Sequence, residues 1–198
     1  FHNKIKGYTQ NRQPGIEADM EPKPIAELEE YKAAGKLENK VALITGGDSG
    51  IGRAIAILYA KEGANVAIGY YDEHQDAEDT VNRLQEMGVK AKAYAHDLKD
   101  EKQSQKLIKD VINDFGSLNI LVNNGGVQFP RDHFEDITPQ QVKETFMTNI
   151  FGMMFLSQAA VPYLSEGDTI INTTSVTAYR GSGHLIDYSA TKGAIVSF

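Results

Sequence analysis

The chain has 198 residues, 41% hydrophobic and 24% charged, which is enough for one globular domain with a real core. Its formal net charge of −7 argues against nucleic acid or an anionic membrane as a partner, since both call for a basic face. The absence of cysteine excludes disulfides, thiolate catalysis and Cys-ligated metals, and it fits a reducing, cytoplasmic setting. No apolar run approaches the ~18 residues of a membrane span.

Residues 1–39 are polar, carry Pro14, Pro22 and Pro24, and read as an N-terminal arm. It is either a flexible arm or one that packs on a neighbouring subunit. Only residues 25–36 have a weak helical pattern. The start, Phe-His-Asn-Lys, has neither a signal-peptide apolar region nor a Met, so the N-terminus is expected upstream.

From Lys40 the texture changes. Residues 41–45 form a short apolar run, a candidate buried strand. A helix is expected over 51–62, ending at Gly63. Strands at 65–70, 89–95, 118–123 and 169–174 alternate with helices at 73–87, 102–115 and 139–164. A last helix begins at Tyr188. Strict alternation of strand and helix predicts an α/β fold over residues 40–198: a doubly wound parallel sheet with helices on both faces.

Thr45-Gly-Gly-Asp-Ser-Gly-Ile-Gly52 lies between the first strand and the first helix. Gly46, Gly50 and Gly52 supply the backbone angles of a tight turn and let phosphates approach closely. The helix N-terminus beyond offers N–H groups and partial positive charge to a pyrophosphate. At the end of the second strand a carboxylate would favour NAD, but Tyr70 stands there, with Asp72 two residues later and no nearby Arg for a 2′-phosphate. Cofactor choice between NAD and NADP stays open, and use of both is expected.

Tyr188 and Lys192 are one helical turn apart and share a helix face. A phenol with a pKa near 10 is a poor base at neutral pH, and bringing it toward ~7 takes about 4 kcal/mol. A nearby ammonium in a partly dry cleft can supply much of that. Ser175 follows the fifth strand, where a hydroxyl can bond a substrate oxygen; Asn123-Asn124-Gly125-Gly126 ends the fourth strand at the same sheet edge. Asn149 falls inside the long helix, where a buried Asn needs a partner. The five His residues show no metal spacing, His184 reads as a loop residue, Met153-Met154-Phe155 as core, and residues 99–106 as a solvated helix face. A substrate pocket is expected from residues 128–131, 176–179 and 184–186.

Taken together, Thr45-Gly-x3-Gly-Ile-Gly52, Asp97, Asn123-Asn-Gly-Gly126, Asn149, Ser175 and Tyr188-x3-Lys192 resemble the short-chain dehydrogenase/reductase family. The long arm resembles its bacterial subgroup of glucose/ribitol dehydrogenase-like and general-stress oxidoreductases. The resemblance implies a Rossmann-type fold and an NAD(P)-dependent oxidoreductase acting on a small alcohol, sugar or carbonyl. It makes Tyr188 the acid/base, Lys192 the group that tunes it and holds the nicotinamide ribose, Ser175 the residue that orients substrate, and Asn149 the holder of a relay water. Cofactor contacts would come from Gly46, Asp48, Ser49, Gly50, Ile51, Gly52, Tyr70, Asp97, Leu98, Asn124, Gly125 and Gly126, and from Tyr188 and Lys192. A homodimer or homotetramer is implied, built on the long helix and the Tyr188 helix. The alternative is a cofactor-binding stress or regulatory protein with little turnover. Gly125 departs from the family's usual Ala. The family's two further strands, Pro-Gly turn and substrate lid are not within these residues, so the chain reads as part of a longer polypeptide.

Overall fold

The computed structural model describes residues 10–28 and 30–198; the first nine residues of the expected arm, and Glu29, lie outside the described residues. Five strands form one wholly parallel sheet: β1 (Val41–Thr45), β2 (Asn65–Tyr70), β3 (Ala91–Ala95), β4 (Ile120–Asn123) and β5 (Thr169–Asn172), in the order β3-β2-β1-β4-β5. The chain winds outward from β1 to β3, then returns to the other side of β1 with β4. The carboxyl ends of β1 and β4 therefore flank the crevice at which strand order reverses.

β1 shows why the sheet is covered on both faces. All five of its residues are buried, and they alternate between two cores. Ala42 and Ile44 pack with Ala56, Ile57 and Ala60 of α1 (Gly50–Lys61) and with Ala77 and Leu84 of α2 (His74–Glu86). Val41 and Leu43 pack with Leu107, Ile108 and Val111 of α3 (Glu101–Phe115) and with Leu156 and Ala160 of α5 (Gly152–Ala160). The side-chain period of two thus splits one apolar run between the two layers of helix. Each large aliphatic side chain taken fully out of water contributes about 1.5–3 kcal/mol.

Local signals set the helix ends. Asp100 caps α3 by accepting from the N–H groups of Lys102 (2.8 Å) and Gln103 (3.2 Å), and Gly116, at φ +85°, ends it. Thr138 caps α4 (Pro139–Phe146), with Pro139 in the first turn. The expected long helix is not uniform: a π turn, Met147–Phe151, joins α4 to α5, and a 3₁₀ turn follows at Val161–Tyr163. Two elements close the order: α6 (Thr177–Arg180), a single turn that the sequence reading missed, and α7 (Ile186–Ser197). In the Met153-Met154-Phe155 stretch only Met153 is core, while Met154 is 43% exposed.

One expectation for the arm needs correction. Residues 25–36 contain no helix among the described residues. Ile25 and Leu28 bury no face, being 89% and 71% exposed, and Gly35 sits at φ +68°. The carboxylate of Glu62, just past α1, instead gathers the segment, accepting from the N–H groups of Ala34 (3.1 Å) and Lys36 (2.8 Å) and from the hydroxyl of Tyr31. The Tyr31 hydroxyl and then the Lys36 amide hold Glu62 down at about 2. The arm also touches its own domain: the N–H groups of Glu17 and Ala18 donate to Asp76 of α2 at 2.7 and 3.1 Å.

His96 lies just beyond β3 and is 6% exposed, and neither ring nitrogen has a partner among the described residues. It packs against Gly69, where an added Cβ would come within 2.7 Å of the ring. Burial pulls its pKa down to about 4. The unfolded chain, with His near 6.5, binds the proton that the folded chain refuses, so stability falls as pH drops from about 6.5 to about 4. At most about 3 kcal/mol is at stake at 1.36 kcal/mol per unit. Urea unfolding at pH 7 and pH 4.5 should show a smaller acid loss for His96→Phe than for wild type. An equal loss in both proteins would remove His96 as its source.

Candidate active site

The β1–α1 turn is built on glycine. Gly46 sits at φ +62° and donates its N–H to Gly69 O at 2.8 Å. A Cβ at Gly52 would stand 1.8 Å from Gly46 O, so no other residue fits that crossing. Ser49 occupies the N-cap of α1 without capping it; its hydroxyl donates to Asp48 Oδ2 at 2.8 Å. Ile51 is 66% exposed, which leaves its main chain as the part that faces the turn.

Thr45 joins this turn to the loop after β4. Its Oγ1 accepts from the N–H groups of Asn124 and Gly125, both at 3.0 Å, and Asn124 Nδ2 returns a bond to Thr45 O at 3.2 Å. Between the two loops lies a cleft of about 310 Å³. Of the expected cofactor residues, Gly46, Asp48, Ser49, Tyr70, Asp97, Leu98, Asn124, Gly125 and Gly126 line it; Gly50, Ile51 and Gly52, in the first turn of α1, do not, nor do Tyr188 and Lys192. A dinucleotide fits this chemistry through the glycine backbone over the crevice and the start of α1, where the Ser49 side chain makes no cap and the first N–H, that of Gly50, is taken by the Glu17 carboxylate at 2.6 Å.

Several further lining residues escaped the sequence reading, among them Gln13, Pro14 and Glu73. The carboxylate facing the cleft beyond β2 belongs to Glu73, 3% exposed, while Asp72 turns outward to Arg12 at 2.5 Å. Burial raises the carboxyls of Asp48 and Glu73 above the usual range, and the charge of Asp48 adds to the rise at Glu73. The acid pair Asp72-Glu73 was visible in the sequence; which of the two turns inward was not.

The second half of the site stands on α7. Tyr188 is half-buried in its first turn, and Lys192 is 4% exposed. Lys192 Nζ donates to Thr173 O at 2.8 Å and lies 5.5 Å from the centre of the Tyr188 ring. No carboxylate is within ion-pair distance of it among the described residues, and burial pulls it down to about 8. Thr174 Oγ1 donates to Lys192 O at 2.9 Å, tying the β5 end to α7. Ser175 Oγ accepts from the Thr177 N–H (3.2 Å) and hydroxyl (3.1 Å), which leaves its own proton for another acceptor.

Asn149, 2% exposed in the π turn, has the partners its burial demands. Its Oδ1 accepts from Val127 N–H at 2.8 Å, and its Nδ2 donates to Val127 O (2.9 Å) and Thr191 Oγ1 (3.1 Å). Its amide thus fastens the β4 loop to α7. The two halves meet at Gly126: an added Cβ there would be 3.1 Å from Asn149 Oδ1 and 3.8 Å from Lys192 Nζ. Behind them a hollow of about 10 Å³, about one water in size, is bounded by Thr45, Asn149, Thr173 and Lys192.

Asp187, also missed, is 5% exposed and accepts from Thr145 Oγ1 (2.7 Å) and Gln141 Nε2 (3.2 Å), locking α4 against the turn that carries Tyr188. Arg131 N–H donates to His184 O at 3.0 Å, so two of the expected substrate segments do adjoin. Val176 and Tyr179 are 61% and 75% exposed. His184 is an exposed loop residue, 3.6 Å from Asp132.

The family model described as short chain dehydrogenase matches residues 40–198. The chain belongs to the short-chain dehydrogenase family. It is 50% identical over 198 residues to general stress protein 39 of Bacillus subtilis (strain 168), covering 100% of this chain and 69% of that protein. It is 44% identical over 197 residues to the glucose and ribitol dehydrogenase of Daucus carota, covering 96% of this chain and 67% of that one. A short chain dehydrogenase from Burkholderia cenocepacia J2315, solved in complex with NADP, superposes with a TM-score of 0.79 at 35% identity, over 82% of this chain and 66% of its own. The chain thus spans about two thirds of the length of its relatives.

Thr45→Val keeps the strand but takes the acceptor from two half-buried N–H groups, at up to about 1–3 kcal/mol each. Chemical denaturation should show a loss of about 2–4 kcal/mol, with Thr45→Ser retaining most of the stability. A Val variant as stable as wild type would mean that the hydroxyl does not hold the two loops together.

Proposed function

We propose that the protein is an NAD(P)-dependent oxidoreductase that moves a hydride between a nicotinamide cofactor and a small alcohol, sugar or carbonyl. The observation that supports this best is Lys192, buried and without a carboxylate partner among the described residues, with Tyr188 on one side and Gly126 of the cleft on the other. The cofactor, NAD or NADP, would be held by the β1–α1 turn and the β4 loop, and supplies the hydride acceptor or donor.

In the oxidative direction the hydride leaves the substrate carbon and Tyr188 takes the hydroxyl proton; in reduction it returns the proton to the carbonyl oxygen. Lys192 sets a positive charge facing the phenolate. Ser175 donates to the substrate oxygen, and Asn149 fixes the loop and helix around the water-sized hollow behind Lys192. The name of the Bacillus relative favours a second reading, a stress protein with little turnover; the retention of Tyr188, Lys192 and Ser175 at one sheet edge favours the enzyme.

In the full-length polypeptide, Tyr188→Phe removes the transferable proton and keeps the ring. It should cut turnover at least ~100-fold with cofactor affinity nearly unchanged, while Lys192→Ala should damage both. Steady-state turnover with an accepted alcohol or aldehyde, beside calorimetric cofactor binding, checks this. Near-normal turnover of Tyr188→Phe would sink the mechanism.

We propose in addition a homodimer or homotetramer. Val142, Phe151, Met154 and Val161 along α4–α5, and Val196 on α7, are 38–57% exposed, an apolar surface on the helices that the family resemblance assigns to subunit contact. Sedimentation of the full-length polypeptide at micromolar concentration should show no stable monomer; a monomer there would contradict the proposal.

A further inference from the structure

The β2 end of the nucleotide cleft is bounded partly by residues that precede the region matched by the family model. Gln13 and Pro14 form part of its wall, beside Tyr71 and Glu73. The residues flanking them carry charge. Arg12 Nη2 lies 2.5 Å from Asp72 and 3.4 Å from Glu73. Glu17, 6% exposed, accepts the Gly50 N–H at 2.6 Å and pairs with Arg53. Arg53 in turn donates to Asp48 O at 2.9 Å, directly behind a lining carboxylate. The arm therefore brings one cation and one anion to the same corner: Arg12 against the acids beyond β2, and Glu17 as the nearer of two carboxylates on the Arg53 guanidinium, the other being Asp76 at 3.9 Å.

A 2′-phosphate differs from a 2′-hydroxyl by about −1.5 to −2 charges, so this corner is where those charges discriminate. We propose that the N-terminal arm sets the balance between NAD(H) and NADP(H), Arg12 favouring the phosphorylated cofactor and Glu17 opposing it by neutralising Arg53. The inference rests on the cleft being the dinucleotide site. It replaces the reading in which the missing acid at position 70 and a missing Arg decide cofactor choice, because the arginine comes from the arm.

The test is calorimetric binding of NADH and of NADPH to the full-length polypeptide, without turnover, for wild type, Arg12→Gln and Glu17→Gln. The ratio of the two dissociation constants should move about fivefold or more toward NADPH in Glu17→Gln, and by a similar factor toward NADH in Arg12→Gln. Both shifts should shrink in 0.5 M salt, on the order of a threefold shorter screening length than at low salt. An arm that only braces the fold would weaken both nucleotides by one factor, and an unchanged ratio would overturn the proposal. Should Glu17→Gln fail to fold, the half-exposed Arg12 decides alone, and a ratio unchanged in Arg12→Gln and reversed in neither direction by Arg12→Glu overturns it as well. If wild type binds neither nucleotide, the dinucleotide reading of the cleft fails first.

Discussion

A buried ammonium without a carboxylate is expensive, and much of this sheet edge is arranged around one. Lys192 loses most of its hydration and, among the described residues, its ammonium recovers one hydrogen bond, to Thr173 O at 2.8 Å. That bond requires β5 to end where it does, so that Thr173 turns its carbonyl toward α7. It also requires α7 to be clamped there, which Thr174 does through Lys192 O and Thr191 does through Asn149. Gly126 then lets the β4 loop approach within a side chain's width of the ammonium. No carboxylate among the described residues compensates the charge, which is the condition under which a facing phenolate would gain most from it.

The π turn belongs to the same constraint. A regular helix from Pro139 onward would carry the residues after Met147 round at 100° per step. Widening one turn at Met147–Phe151 lets Asn149 face the Val127 backbone while Thr145, one turn earlier, still reaches Asp187. One helix therefore grips α7 at two places, on either side of Tyr188. Polar contacts this buried are worth having only when they are satisfied, and those of Asn149 are complete.

The parallel sheet and its alternating helices were legible because they depend on period and punctuation, whereas the strand order came from the structure. The run Val41-Ala-Leu-Ile-Thr45, and the glycines at 63, 88 and 116, state their roles locally. The spacing of Tyr188 and Lys192 was equally local. What stayed hidden was everything decided by tertiary contact. Residues 25–36 have a weak helical pattern, but the carboxylate of Glu62 competes for their backbone N–H groups and wins. Asp72 and Glu73 are chemically similar neighbours, and only the path of the arm determines that Arg12 draws Asp72 outward. Strand ends moved by up to two residues, as at 89–90 and 173–174, where pairing with a neighbouring strand, not propensity, sets the limit.

Gly125 shows how a departure from a family pattern is absorbed. An Ala Cβ at this position would stand 2.9 Å from Leu98 Cδ1 and 3.3 Å from Thr45 Oγ1. The first contact is with the end of a flexible side chain and would be relieved by a small rotation. The second presses on the hydroxyl that joins the two loops. With Gly at 125, Leu98 is free to sit closer to the crevice, and the Thr45 bonds form without strain. Leu98 is also boxed in from the other side, because a Cβ on Gly152 would stand 2.6 Å from its carbonyl oxygen. Gly125 and Gly152 thus enclose one lining residue of the cleft from the β4 loop and from α5. The width of the cleft at Leu98 is set by two missing methyl groups, one on the loop that would carry the cofactor and one on the helix that carries no chemistry of its own.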